Sequence, residues 1–247
     1  MKISDPAFQP DAALVLPQDE VHLWRIDLDA VATAEQRWQQ MLSQDEPARA
    51  ARFHFTRDRQ NFTATRACLR IILARYLGSE PAALKFRYAE KAKPSLDPSL
   101  NLSFGGNQVE FNVSHSGAMA LLAFARSRAL GVDIEQIREN FDPGAIARRF
   151  FSEHEQRQLD ALAPPERFNG FFRCWTRKEA YIKAHGAGLS LPLDQFDVSL
   201  RPRDENALVA TRPDAIEASL WSLRDVPAEE GYLAALCVRG HGWRLVS

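Results

Sequence analysis

The chain has 247 residues, 45% of them hydrophobic and 26% charged, with a formal net charge of −1. That length forms one large folding unit or two small ones and buries a sizeable core, and the composition excludes an intrinsically disordered or low-complexity chain. Three well-separated cysteines (Cys68, Cys174, Cys237) with no CxxC pair exclude a disulfide scaffold or zinc knuckle and favour a reducing compartment.

The opening Met1-Lys2-Ile3-Ser4-Asp5-Pro6 lacks the apolar stretch of a secretory signal. The longest apolar run, Ala118–Ala125, is far short of the roughly 20 residues of a membrane span. A cytoplasmic protein with no membrane partner is expected. Residues 1–20 read as a loose arm. Val21–Leu28 alternates apolar and polar residues and is expected to be a strand. Thr33–Gln44 and Pro47–Leu77 are expected to be helices, the second stopped by Gly78. Lys85–Tyr88 reads as a short strand and residues 89–108 as a loop. Val109–Val113 and Ala118–Phe124 read as strands around a Ser-His-Ser-Gly turn, and Leu130–Glu135 as another strand. Pro143–Phe151, Ser152–Leu162 and a long segment, Glu166–Ala184, read as helices, with Gly186 after the last. Phe196–Leu200, Ala218–Leu223 and Leu233–Val238 complete the strands. Each half therefore carries a long helix and several short strands. The expected class is mixed α+β with a break near residues 125–130, although no repeat is visible in residue identity.

Charge is uneven. Residues 49–75 hold seven arginines (Arg49, Arg52, Arg57, Arg59, Arg66, Arg70, Arg75) against one acid, Asp58. Such a patch on a near-neutral chain suggests a local anionic partner or simply a solvated helix face. No nucleic-acid-binding signature is present, so nucleic acid is not expected. In Gly131-Val132-Asp133-Ile134-Glu135, a strand would place Asp133 and Glu135 on one face, about 7 Å apart. Two carboxylates there can hold Mg²⁺, which takes oxygen ligands, or can simply face water. On the long helix, Glu179 and Lys183 are four residues apart and share a face, as a surface ion pair or as a third carboxylate with a phosphate-neutralising lysine. Ser114 and His115 are neighbours in a strand and point to opposite faces, which argues against a nucleophile–base pair. They suit a grip on an anion or an ordinary polar turn. Lys93, in the loop before them, is a mobile point charge suited to phosphate.

Four blocks in this order are specific: FNVSHSG (111–117), GVDIE (131–135), RRFFSEHE (148–155) and WTRKEAYIKAHGAGLSLPLDQFDVSL (175–200). Over about residues 50–200 the chain resembles the 4′-phosphopantetheinyl transferases of the surfactin-synthetase-activating type. The resemblance implies transfer of the phosphopantetheine arm of coenzyme A to a serine of an acyl or peptidyl carrier protein, with release of 3′,5′-ADP. It implies a monomeric pseudodimer of two similar halves, 1–126 and 127–247, each a small, mainly antiparallel sheet packed on a long helix, with coenzyme A between them. Asp133, Glu135 and Glu179 match the family's magnesium-site acids, with Mn²⁺ as an alternative. Lys183 matches the lysine beside the pyrophosphate, and Lys178 adjoins the third acid. Ser114 and His115 match residues holding coenzyme A, the histidine near the 3′-phosphate. Lys93 matches the lysine of a Gly-Lys-Pro loop in which Ala92 here replaces glycine. Glu155 matches an acid near the active site. Arg66 and Arg59 are candidates for a nucleotide-binding arginine, and Asn61 stands where some members have one. Glu179 is the expected base for the carrier serine, directly or through a metal-bound water. Two rival readings share these residues: a non-catalytic binding module, and a Mg-dependent pyrophosphate hydrolase.

Overall fold

Two stretches of the chain follow one pattern. In the first, a short strand β1 (Lys2–Ile3) precedes β2 (Glu20–Asp27), three short helices α1 (Leu28–Val31), α2 (Glu35–Gln40) and α3 (Glu46–Ala50), and the long helix α4 (Thr56–Leu77). A two-stranded pair follows, β3 (Phe86–Arg87) and β4 (Ser95–Leu96), and then the hairpin of β5 (Val109–Ser116) and β6 (Met119–Arg126). The second stretch runs β7 (Leu130–Gln136), α5 (Pro143–Phe150), α6 (Glu153–Asp160), the long helix α7 (Arg167–His185), a β8 (Phe196–Val198) and β9 (Leu208–Thr211) pair, then β10 (Trp221–Asp225), β11 (Tyr232–Arg239) and β12 (Arg244–Val246). This computed structural model describes residues 1–5, 8, 13–87, 94–98 and 108–247.

The shared pattern is topological. In the first half β6 lies between β2 and β5, antiparallel to both. In the second, β11 lies between β7 and β10, antiparallel to both. Each half is thus strand, long helix, then a hairpin whose closing strand returns beside the first strand. The duplication that residue identity hides is visible in strand order.

Burial explains the strand sequences. On β6, Ala120, Leu122 and Phe124 join the core against α4, while Met119, Leu121, Ala123 and Ala125 pack on the second half. A strand covered on both faces reads as a continuous apolar run. On β7, Leu130, Val132 and Ile134 face the first half. Both long helices end as expected, on left-handed glycines: Gly78 (φ 63°) and Gly186 (φ 81°) donate to Ala74 O and Ile182 O. Glycine takes this conformation without a Cβ penalty.

Two expectations need correction, and the end of the chain adds a link between the halves. The helix expected over 47–77 is broken, since the chain is extended at Phe55 (φ −95°, ψ 137°) before α4 begins. The Phe53 ring sits 5.3 Å from that of Phe62, whereas one continuous helix would separate them by about 13 Å along its axis. The helix expected over 33–44 is shorter, and the chain turns at α1, where Asp27 caps Ala30 N. The division at 126/127 is crossed by the chain end: β12 pairs in parallel with β2 of the first half, beside β1 on the same edge.

Candidate active site at the seam between the halves

The alternate face of β7 looks at α7, and Gly131 sets how closely. A Cβ there would lie 2.2 Å from Ala180 O and 2.3 Å from Ala184 N. Only glycine lets the backbone of α7 approach this far. The close approach brings Lys183 Nζ to 2.6 Å from Asp133 Oδ1. Lys183 also donates to Val132 O and to Ser114 Oγ. Glu179, one turn earlier on α7, is half-buried. Burial, then the neighbouring Asp133 carboxylate, raises its carboxyl above the usual range. Glu135 is raised likewise, chiefly by burial, while its hydrogen bond from Ser116 works in the opposite direction. Asp133, Glu135, Glu179 and Lys183 therefore form one electrostatic group, as their positions in the sequence suggested.

The seam itself is unusual. Among the described residues, no strand pairs with the outer edge of β7. Its N–H groups at Val132, Ile134 and Gln136 are met by the side chains of Asn112, Ser114 and Ser116 from β5, at 2.9, 3.4 and 3.1 Å. Buried backbone donors need such partners. Ser114 Oγ then donates to Asp133 Oδ1 and Ser116 Oγ to Glu135 Oε2, each at 2.7 Å. The β5–β6 turn docks on the same seam, where Ala118 N donates to Tyr232 Oη at 3.0 Å. Gly117 takes the left-handed conformation of this turn (φ 57°), which glycine adopts without a Cβ penalty.

His115 stands exposed beside this turn. Partial enclosure of its ring, then the Lys183 ammonium, holds it below the usual histidine range, while Asp58 at the start of α4 acts oppositely. Arg59 lies on that same turn of α4, half-buried, and Asn61 follows it, also half-buried.

Other expected site residues lie elsewhere. Lys178 is fully buried on the far side of α7, because adjacent helical residues are about 100° apart. It pairs with Glu155 Oε1 at 2.7 Å and donates to Leu193 O and Phe196 O. With three donors used inside the protein it has none for a ligand. Glu155 is equally buried: it completes the capping box of α6 and accepts from Val198 N. Arg66 is also buried, 3.4 Å from Glu46 and against the rings of Phe62 and Phe86. Ser114 is buried, and its hydroxyl is used by Asp133, Ile134 and Lys183 rather than left for a ligand. Lys93 lies outside the described residues. Sequence reasoning missed Asn112, Ser116, Gly131 and Tyr232. The alternation Asn112, Ser114, Ser116 along one strand was the available signal for the first two.

Comparison with known proteins decides the family. Residues 129–237 match the 4′-phosphopantetheinyl transferase superfamily, and residues 32–127 match the 4′-phosphopantetheinyl transferase N-terminal model. A 4′-phosphopantetheinyl transferase of Nostoc sp., HetI, is 41% identical over 94% of this chain and 92% of its own length. The chain belongs to the 4′-phosphopantetheinyl transferase family. The 4′-phosphopantetheinyl transferase Sfp of Bacillus subtilis is 30% identical over 82% of this chain and 84% of its own. Another Bacillus subtilis 4′-phosphopantetheinyl transferase is 33% identical over 86% and 88%. These relatives match this phosphopantetheinyl transferase over both halves, so the seam between them falls inside the shared region. Among the described residues no helix is long and apolar enough to cross a membrane.

Proposed function

We propose that this enzyme transfers the 4′-phosphopantetheine arm of coenzyme A to a serine hydroxyl of an apo acyl or peptidyl carrier protein. The serine oxygen forms a bond to the phosphorus bearing pantetheine, the bond from that phosphorus to the bridging oxygen breaks, and 3′,5′-ADP leaves. The observation that carries this reading is the group of three carboxylates and Lys183 where β7 meets α7, in a chain of this family.

The donor set suits a hard cation. Asp133 Oδ2 is buried without a hydrogen-bond partner, and the carboxyls of Glu135 and Glu179 are each raised partly by neighbouring carboxylates. Both features describe negative charge short of a counter-charge. Among the described residues no three side chains already stand in ligating positions, and Lys183 occupies one oxygen of Asp133. Asp133, Glu135 and Glu179 would hold Mg²⁺ or Mn²⁺, which when bound supplies charge neutralisation to a pyrophosphate. Lys183 stabilises charge on the leaving oxygens. Glu179 takes the serine proton, directly or through a water. His115 holds the 3′-phosphate at the cleft mouth, and Arg59 is the remaining arginine candidate for the nucleotide.

Carrier proteins are usually acidic, and the second half offers a groove beside α5 and α6 in which Arg148, Arg149, Arg157 and Arg212 outnumber Glu153 and Asp194. Residues 143–172 are our candidate docking region. The residues of the seam come from both halves of one chain, which supports a monomer, and the cysteines are all buried and free, in keeping with the cytoplasm. The test is the intact mass of apo carrier proteins incubated with the enzyme, coenzyme A and Mg²⁺. We expect a gain of one phosphopantetheine, lost with chelator and with Asp133→Ala. Tight coenzyme A binding with no transfer to any carrier would favour a binding module, and coenzyme A cleavage without carrier would favour a hydrolase.

A further inference from the structure

The seam between β5 and β7 follows a rule that the reaction alone does not explain. Each side chain of β5 that meets a β7 N–H also faces the β7 residue one position earlier. Where that residue is an acid, β5 supplies serine: Ser114 for Asp133 and Ile134, Ser116 for Glu135 and Gln136. Where it is Gly131, with no side chain to address, β5 supplies Asn112, whose amide oxygen only accepts from Val132 N. A hydroxyl has one proton and two lone pairs. The β7 N–H takes a lone pair, so the proton is left for the carboxylate. The backbone of β7 thus aims the proton at its own acid through a serine on the other half.

We propose that Ser116 is a positioning residue. It fixes the rotamer of Glu135 by a hydrogen bond of set polarity and so makes the carboxylate group receptive to a divalent cation. It touches no substrate in this scheme. The proposal rests on the reading of Asp133, Glu135 and Glu179 as the cation-holding acids. A hydrogen-bond donor to a ligating carboxylate limits its rotation before the ion arrives, and loss of such a partner weakens metal binding by about 10–100-fold.

The test is Mn²⁺ binding with coenzyme A present, read from the free-ion electron paramagnetic resonance signal, alongside thermal unfolding of each variant. Ser116→Ala should weaken Mn²⁺ binding about tenfold with a melting temperature near that of the wild type, because the Gln136 N–H that Ser116 also meets is exposed and can turn to water, whereas that of Val132 is buried. Ser116→Thr should restore binding by restoring the hydroxyl. Asn112→Ala should lower the melting temperature and leave Mn²⁺ affinity unchanged, because it breaks the seam without touching an acid. Should Ser116→Ala fail to fold, Ser116→Cys, a weaker donor of similar size, replaces it. Equal weakening by Ser116→Ala and Asn112→Ala would overturn the proposal, because the seam would then act only by joining the halves. Wild-type affinity in Ser116→Ala with affinity lost in Glu135→Gln would also overturn it and leave the cation reading standing. Unchanged binding in Glu135→Gln would remove the cation reading and this proposal with it.

Discussion

Glu179 faces two carboxylates and one ammonium, and its chemistry follows from that crowding. Burial and Asp133 push its carboxyl toward the proton-bound form, while Lys183 pulls it back. Glu179→Gln keeps the shape and removes the carboxylate proposed as the base. We expect turnover to fall by about 10²–10⁴-fold, with coenzyme A affinity by calorimetry largely kept. Turnover within a few-fold of wild type would remove Glu179 as the base. His115, the proposed contact of the 3′-phosphate, is exposed instead. His115→Ala should weaken coenzyme A binding and leave dephospho-coenzyme A, which lacks the 3′-phosphate, nearly unaffected. Equal loss for both ligands would mean that the imidazole does not read the 3′-phosphate.

Elements, not single side chains, set the distances in this site. The contact between β7 and α7 is backbone on backbone at Gly131. A backbone cannot rotate aside as a side chain can, so Gly131→Ala must displace α7 and with it Glu179 and Lys183. A shift of about 1 Å costs roughly 10²-fold in rate, and we expect kcat to fall by that order with helix content by circular dichroism unchanged. The opposite side of α7 is anchored to α6 and β8 by the buried Glu155–Lys178 pair. Removing one partner of such a pair costs about 3–5 kcal/mol, because the other charge stays buried and alone. Lys178→Met should therefore lower stability in a denaturant titration without raising the KM for coenzyme A. A raised KM with unchanged stability would return Lys178 to the ligand site.

At the scale of the molecule, the halves are joined three ways. Small and branched side chains of β2, β6, β7 and β11 form a shared core. Side chains of β5 zip the edge of β7. The last strand, β12, returns to pair with β2, where Arg244 also pairs with Glu20. That return ties the end of the second half to the start of the first. Removal of residues 244–247 should lower the melting temperature by roughly 4–8 °C, the equivalent of about 2 kcal/mol in a chain of this size. An unchanged melting temperature would show that β12 contributes nothing to holding the halves together.

Much of this was legible in the chain itself. Period and glycine stops located both long helices and most long strands, because helix ends and strand faces are local consequences of residue type. The acids of GVDIE and the Glu179–Lys183 pair were legible for the same reason, since spacing on one strand or one helix sets which side chains share a face. Residues whose role is set by distant partners were not. Lys178 and Glu179 are neighbours in sequence, and only the packing of α6 and β8 against one side of α7 decides that the lysine is buried while the acid stands with Asp133 and Lys183. Phe53 breaks a helical pattern because Phe62 is there to receive it. The strands β1, β9 and β12 are two to four residues long, too short to carry a period, and exist because a neighbouring edge pairs them. The duplication belongs to the same class: strand order follows from which edges meet, and residue identity need not preserve it. What the sequence determined was which groups each element presents; what the tertiary structure decided was which of them share a desolvated seam, where charge and hydrogen bonding become strong enough to act.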